Sequence, residues 1–164
     1  MKRFISAILA VILIVSASPA AFAFSDSAKS AILYEPESGT VLYEKNADER
    51  RLIASTTKIM TALVTIENAS LDEVVTVPKV CETIGGTSLH IRGGSQYTVE
   101  ELLYGLLLES ANDVAVALAC HVAGNVPSFA DLMNKRAESL GLENTHFMNP
   151  NGLDHKDPAV RSYA

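Results

Sequence analysis

Leu52-Ile53-Ala54-Ser55-Thr56-Thr57-Lys58-Ile59-Met60-Thr61-Ala62-Leu63 sets a hydroxyl and an amine one helical turn apart. On an α-helix, residues three apart share a face with Cβ atoms roughly 5–6 Å apart, so the Lys58 amine can reach the Ser55 hydroxyl. Ile59, Ala62, Leu63 and Ile66 recur at the spacing of one buried stripe. Extended back by four residues, the stripe reaches Ser55, with Lys58 along its edge, so both side chains are expected to point toward the protein body. Burial matters most for Lys58. An ordinary lysine pKa of about 10.4 leaves the amine charged at neutral pH, whereas desolvation favours the neutral amine, which can act as a base. The bare pattern is unspecific, because the serine and lysine content alone supplies about 0.6 such matches by chance.

The context begins at the N-terminus. Lys2 and Arg3 precede an apolar run from Phe4 to Val15 and then small residues ending Ala21-Phe22-Ala23, which reads as a secretory signal peptide over residues 1–23 with cleavage before Phe24. An uncleaved anchor is the alternative, but the run is short of the ~20 residues that span a bilayer. Residues 24–164 amount to one domain at most, exported to an extracytoplasmic compartment. The chain carries a formal net charge of −6, no tryptophan and no basic cluster. Nucleic acid is therefore not an expected partner, since phosphate binding depends on concentrated Lys and Arg. Cys81 and Cys120 would meet oxidising conditions, where a disulfide is one option. The run Val114–Cys120 favours a small buried side chain for Cys120 instead.

Along the chain, Ala31–Tyr34 and Val41–Glu44 flank Glu35-Pro36-Glu37-Ser38-Gly39-Thr40 and read as a β-hairpin. The Ser55/Lys58 helix is expected to run to about Asn68, followed by a short strand around Val74–Pro78. Thr98 with Glu101 forms a capping box for a helix through about Leu108; Asn112 or Asp113 starts the next, which stops near Gly124. Ser128 with Asp131 is expected to start a third helix, ending at Gly141. Thr145–Pro158 is rich in Asn, Pro, Gly and Asp and reads as irregular loop.

Glu109-Ser110-Ala111-Asn112-Asp113 is a polar junction between two strongly apolar helical runs. In a turn, the Ser110 hydroxyl and Asn112 carboxamide can serve one site, the first relaying a proton and the second holding a substrate amide. The competing reading is that Ser, Asn and Asp only cap the second helix.

The Ser-x-x-Lys and Ser-x-Asn elements each occur once, in that order and 55 residues apart. With Lys-Thr-Gly they make the set found in penicillin-binding proteins and class A β-lactamases. The surrounding text resembles one branch, the serine-type D-alanyl-D-alanine carboxypeptidases, or low-molecular-mass penicillin-binding proteins. The resemblance covers essentially all of the chain after the signal peptide. It includes Glu37-Ser38-Gly39 in the hairpin, Ala54–Ala62, Gly86-Thr87-Ser88, Tyr97–Leu107, Ser110–Asp113 and His146–Leu153. It implies an α/β fold of the β-lactamase/transpeptidase kind, with an antiparallel sheet flanked by helices and an adjoining all-α region over Thr98–Gly141. It also implies a hydrolase of peptidoglycan stem peptides, with β-lactams as inhibitors. Ser55 would attack the penultimate D-alanine carbonyl, Lys58 would take its proton, Ser110 would bridge Lys58 and the leaving amine, and Asn112 would bind substrate backbone and help fix Lys58. The family's members often carry a membrane-surface segment, which would lie beyond residue 164.

No Lys-Thr-Gly triad occurs in the chain. Residues 24–164 are therefore expected to be the N-terminal part of a catalytic domain, incomplete before that motif and poorly active alone. Two other readings stay open. A class A-like β-lactamase would add a deacylating carboxylate, for which Glu143 is available, and a wall-binding or regulatory protein of the same fold would not need Ser55. No cofactor is expected, and His90, His121, His146 and His155 show no metal-ligand spacing.

Overall fold

Ala31–Glu35 (β1) and Thr40–Lys45 (β2) pair antiparallel as the expected hairpin, with an irregularity between Leu33 and Tyr34. The Glu35 carboxylate closes its turn, accepting from the backbone N–H of Glu37 at 2.9 Å and of Ser38 at 2.7 Å. This computed structural model describes residues 26–155, 157 and 161–164, so the expected signal peptide lies outside the described residues. The chain divides into two compact units, one ending at Lys45 and the other spanning Asn46–Ala164.

In the second unit a 3-10 turn over Ala54–Thr56 leads directly into Thr57–Asn68 (α1). Val74–Thr76 (β3) is the anticipated short strand. Its antiparallel partner, Gln96–Thr98 (β4), carried no recognisable strand pattern. The named strands thus form two two-stranded antiparallel ladders, β1–β2 in the first unit and β3–β4 in the second. Val99–Leu108 (α2) opens on the predicted capping box: Thr98 Oγ1 accepts from Glu101 N–H at 3.1 Å, and the Glu101 carboxylate accepts from Thr98 N–H at 2.8 Å. Asn112–Ala123 (α3) ends at Gly124, whose φ of 79° provides the left-handed stop. Val126–Ser139 (α4) begins before the predicted Ser128, because Asn125 is the cap, accepting from Ser128 N–H at 2.8 Å. Pro127 fits that first turn, where its missing N–H costs nothing.

α3 is the centre of this unit. Residues Asn112–Ala119 are all buried, and the small side chains of Ala115, Ala117 and Ala119 let neighbouring helices approach closely. One face of α3 joins a cluster with Val99, Leu102, Leu106 and Cys81; Ala119 joins a second with Met60, Val64, Phe129 and Met133. Cys81 and Cys120 are free thiols. Burial, with Cys120 and Asp113 close by, pushes the Cys81 thiol up to about 12, so it behaves as an apolar side chain.

The buried stripe of α1 differs from the expected one. Ile59 and Ile66 are 68% and 54% exposed, whereas Thr57, Lys58, Met60, Thr61, Ala62, Val64 and Thr65 form the buried face. Thr61 and Thr65 tolerate burial because their hydroxyls are satisfied along the helix and beyond it, whereas the buried Thr57 hydroxyl has no hydrogen-bond partner among the described residues. Thr65 Oγ1 donates to Thr61 O at 2.8 Å, and Thr61 Oγ1 donates to Pro150 O at 2.6 Å.

The segment from Thr145 to Leu153 is irregular, as expected, but it is pinned near its start. Asn134 holds Phe147 through two 2.8 Å bonds to its backbone N–H and C=O. His146 and Tyr163 exchange backbone bonds of 2.8 and 2.9 Å. Phe129, fully buried between α3 and the Phe147 loop, is expected to dominate this second cluster. Phe129→Ala should cost about 3–5 kcal/mol of stability, read as a lower urea midpoint; a loss too small to move the midpoint would show that the cluster does not hold the unit together.

Candidate active site

Ser55 lies in the 3-10 turn ahead of α1 and is exposed, while Lys58, one turn further on, is 2% exposed. The predicted pair therefore splits across the surface: the hydroxyl reaches solvent, and the amine points inward. Lys58 Nζ lies 3.2 Å from Ser55 Oγ, 2.8 Å from Asn112 Oδ1 and 3.0 Å from the Asn151 carbonyl oxygen. An ammonium would donate to all three acceptors. A neutral amine has two N–H groups and a lone pair, so it can donate to the two carbonyl oxygens and accept the Ser55 proton. Burial lowers the Lys58 pKa, and no carboxylate pairs with it among the described residues to raise it again. This arrangement can activate a hydroxyl for attack on a carbonyl.

Asn112 is the first residue of α3 and does not act as a cap there. Its carboxamide faces two ways: Oδ1 accepts from Lys58, and Nδ2 donates to the Gly85 carbonyl at 2.9 Å. Its backbone N–H donates to Thr87 O at 2.8 Å. Ser110 stands two residues earlier in the turn between α2 and α3, half-buried and in the left-handed region at φ 56°. It lines a cleft of about 300 Å3 together with Ser55, Thr56, Lys58, Ile59, Leu106 and Leu107. Three of the four sequence-predicted site residues, Ser55, Lys58 and Ser110, thus line one cleft, and Asn112 joins them through its bond to Lys58. The three bonds of Lys58 go to Ser55, Asn112 and Asn151, and none joins it to Ser110.

The sequence reading missed the Asn149–Leu153 loop as a functional element. Asn151 contributes its backbone carbonyl, so side-chain type gives no signal; only the Asn-Pro-Asn-Gly composition marked a turn. Gly152, at φ 76°, sits so close to the serine turn that a Cβ there would come 1.8 Å from the Ala54 carbonyl oxygen. Ala54 itself is strained at φ 44°, immediately before Ser55. Glu143, the carboxylate considered for deacylation, lines separate cavities with Gly141, Leu142 and Thr145.

The sequence model of peptidase family S11, the D-alanyl-D-alanine carboxypeptidases, matches residues 14–164. A D-alanyl-D-alanine carboxypeptidase of Bacillus subtilis, DacF, is 40% identical over 177 aligned residues, covering 99% of this chain and 46% of the relative. The crystal structure of a D-alanyl-D-alanine carboxypeptidase from Mycobacterium tuberculosis superposes with a TM-score of 0.80 at 30% identity, covering 86% of this chain and 52% of that one. That of penicillin-binding protein 5 from Haemophilus influenzae gives 0.78 at 33% identity, covering 86% and 42%. The chain therefore spans about half or less of the length of these proteins.

The lowered Lys58 pKa has a consequence for stability. Between the depressed value in the fold and the ordinary value in the unfolded chain, the unfolded state binds more protons, so Lys58 makes folding more favourable as pH rises through that window. Urea midpoints of wild type and Lys58→Met, compared from pH 7 to 10, should show a wild-type advantage that grows with pH. A constant difference would mean that Lys58 titrates in the fold as it does in the unfolded chain.

Proposed function

Because the chain belongs to the D-alanyl-D-alanine carboxypeptidase family, peptidase family S11, we propose that Ser55 is the nucleophile of a serine peptidase that removes the terminal D-alanine from peptidoglycan stem peptides. The observation that supports this most directly is the buried Lys58 amine, with Ser55 Oγ at 3.2 Å and two carbonyl oxygens holding its other sides. In the proposed reaction, Lys58 takes the Ser55 proton as Oγ attacks the penultimate D-alanine carbonyl. The Ser55 backbone N–H, in the 3-10 turn that leads into α1, is one donor for the resulting oxyanion, with a favourable helix dipole. The proton passes from Lys58 through the Ser110 hydroxyl to the leaving nitrogen, and the amide bond breaks to release D-alanine. Asn112 keeps Lys58 in place and offers its edge to the substrate backbone. Water then enters, loses a proton to the same base and cleaves the ester, freeing Ser55. A β-lactam presents a strained amide to the same hydroxyl and would leave a covalent penicilloyl ester.

Residues 24–164 would then be the N-terminal part of the catalytic domain. The segment over residues 1–23 would direct export, so that the enzyme works on the cell-wall side of the membrane, with a membrane-surface attachment lying outside residues 24–164. Glu143 lies apart from the Ser55 cleft, which favours the carboxypeptidase over an efficient β-lactamase.

Fluorescent penicillin tests the reading. The wild-type chain, expected to be poorly active, should give one slowly formed but stable adduct at Ser55 by peptide mass mapping, Ser55→Ala should give none, and Lys58→Ala should slow labelling further by roughly 100-fold or more. Labelling that survives Ser55→Ala would assign the nucleophile elsewhere, and rapid turnover of the penicillin after a burst would favour the β-lactamase.

A further inference from the structure

We propose that Asp113 is a positioning residue for the Ser55–Lys58 pair: it ties residues 85–91 to the start of α3 and so fixes which way the Asn112 carboxamide faces. This inference rests on the function proposed above.

Asp113 is fully buried in the first turn of α3. Its carboxylate accepts from the backbone N–H of Leu89 at 3.2 Å, of Ile91 at 3.0 Å and of Val114 at 3.0 Å, and the Ser88 hydroxyl adds another donor. Burial alone would raise its pKa, but these donors outweigh it and the net shift is downward, so the group is held as an anion. Three of its four donors belong to one loop rather than to its own helix. A carboxylate serving only as a helix-terminal charge would have no need of them.

That same loop holds the neighbouring residue. Asn112 donates its Nδ2 to Gly85 O and its backbone N–H to Thr87 O. Gly86, between these two acceptors, has φ 78°, and a Cβ there would come 2.6 Å from Asn112 Nδ2, so the approach is as close as a bare backbone allows. The Gly85 carbonyl is what directs Nδ2 outward and Oδ1 toward Lys58. If the loop drifts, the carboxamide can turn over and present Nδ2 to Lys58. An N–H there would compete with the Ser55 hydroxyl for the lone pair of the neutral amine and block proton transfer. Asp113 thus acts through the loop and Asn112, three hydrogen-bonded steps from the Lys58 amine.

The test is a double-mutant cycle on the full chain, with Asp113→Asn, Asn112→Ala and their combination. Asp113→Asn keeps the side-chain volume but removes the charge and one acceptor; Ser88→Ala removes a donor from the loop side and leaves the buried carboxylate in place. Amide exchange at Leu89 and Ile91 should accelerate in Asp113→Asn and in Ser88→Ala. The maximal rate of Ser55 acylation by fluorescent penicillin should fall roughly 10- to 100-fold in Asp113→Asn, the scale of a misplacement of about 1 Å, and to a smaller extent in Ser88→Ala, with half-saturating penicillin little changed. In the Asn112→Ala background, Asp113→Asn should add almost nothing. Multiplying rate losses in the double variant would overturn the inference, because Asp113 would then act independently of Asn112. So would accelerated exchange with a wild-type acylation rate, which is the signature of a purely structural anchor. Complete absence of a Ser55 label on the wild-type chain, even at long exposure to penicillin, overturns the proposed function itself and is seen before any variant is compared.

Discussion

A lysine amine enclosed by three oxygens, at 2.8, 3.0 and 3.2 Å, is the constraint on which the rest of this structure depends. Removing an amine from water is costly unless each of its polar valences is met. The three oxygens that meet them come from places far apart in sequence: the turn before α1, the start of α3 and the Asn149–Leu153 loop. Burying Lys58 therefore obliges three segments to converge, and their convergence in turn keeps water away from the amine and lowers its pKa. The same contacts serve packing and chemistry.

α3 makes this convergence geometrically possible. Its run of alanines lets α1, α2 and α4 approach one axis, while Leu118, Val114 and Phe129 fill the space around it. Two non-glycine residues in the left-handed region, Ala54 and Ser110, lie directly beside the site. Such conformations cost of order 1–3 kcal/mol each and persist where the surroundings impose them. Here the surroundings are the Gly152 backbone pressed against Ala54 and the tight connection between α2 and α3. The strain aims Ser55 and Ser110 at one cleft rather than leaving either within a regular helix.

The parts of the fold that were legible are those with local causes. The Thr98–Glu101 capping box, the Gly124 stop and the Glu35–Thr40 turn each depend on atoms within a few residues, and each appears where its residues predict. The α1 stripe was misread because periodicity counts Thr61 and Thr65 as polar, although their hydroxyls bond along the helix and to Pro150 and leave their methyl groups to pack. β4 was missed because three residues carry no periodicity; it is a strand only because β3 offers it a ladder.

The division in the site has the same origin. By itself, the sequence determined that Ser55 and Lys58 share a helical turn, and that Ser110 and Asn112 occupy a junction between helices, since spacing along one chain fixes both. Only the tertiary structure decided that Ser55 and Ile59 face outward while Lys58 is buried, that the Asn112 carboxamide meets its amine, and that the Asn151 carbonyl completes its shell. A backbone carbonyl is identical in every residue, and a side chain's burial depends on what lies across from it. Neither is written in local order, and both appear when distant segments compete to satisfy one desolvated amine.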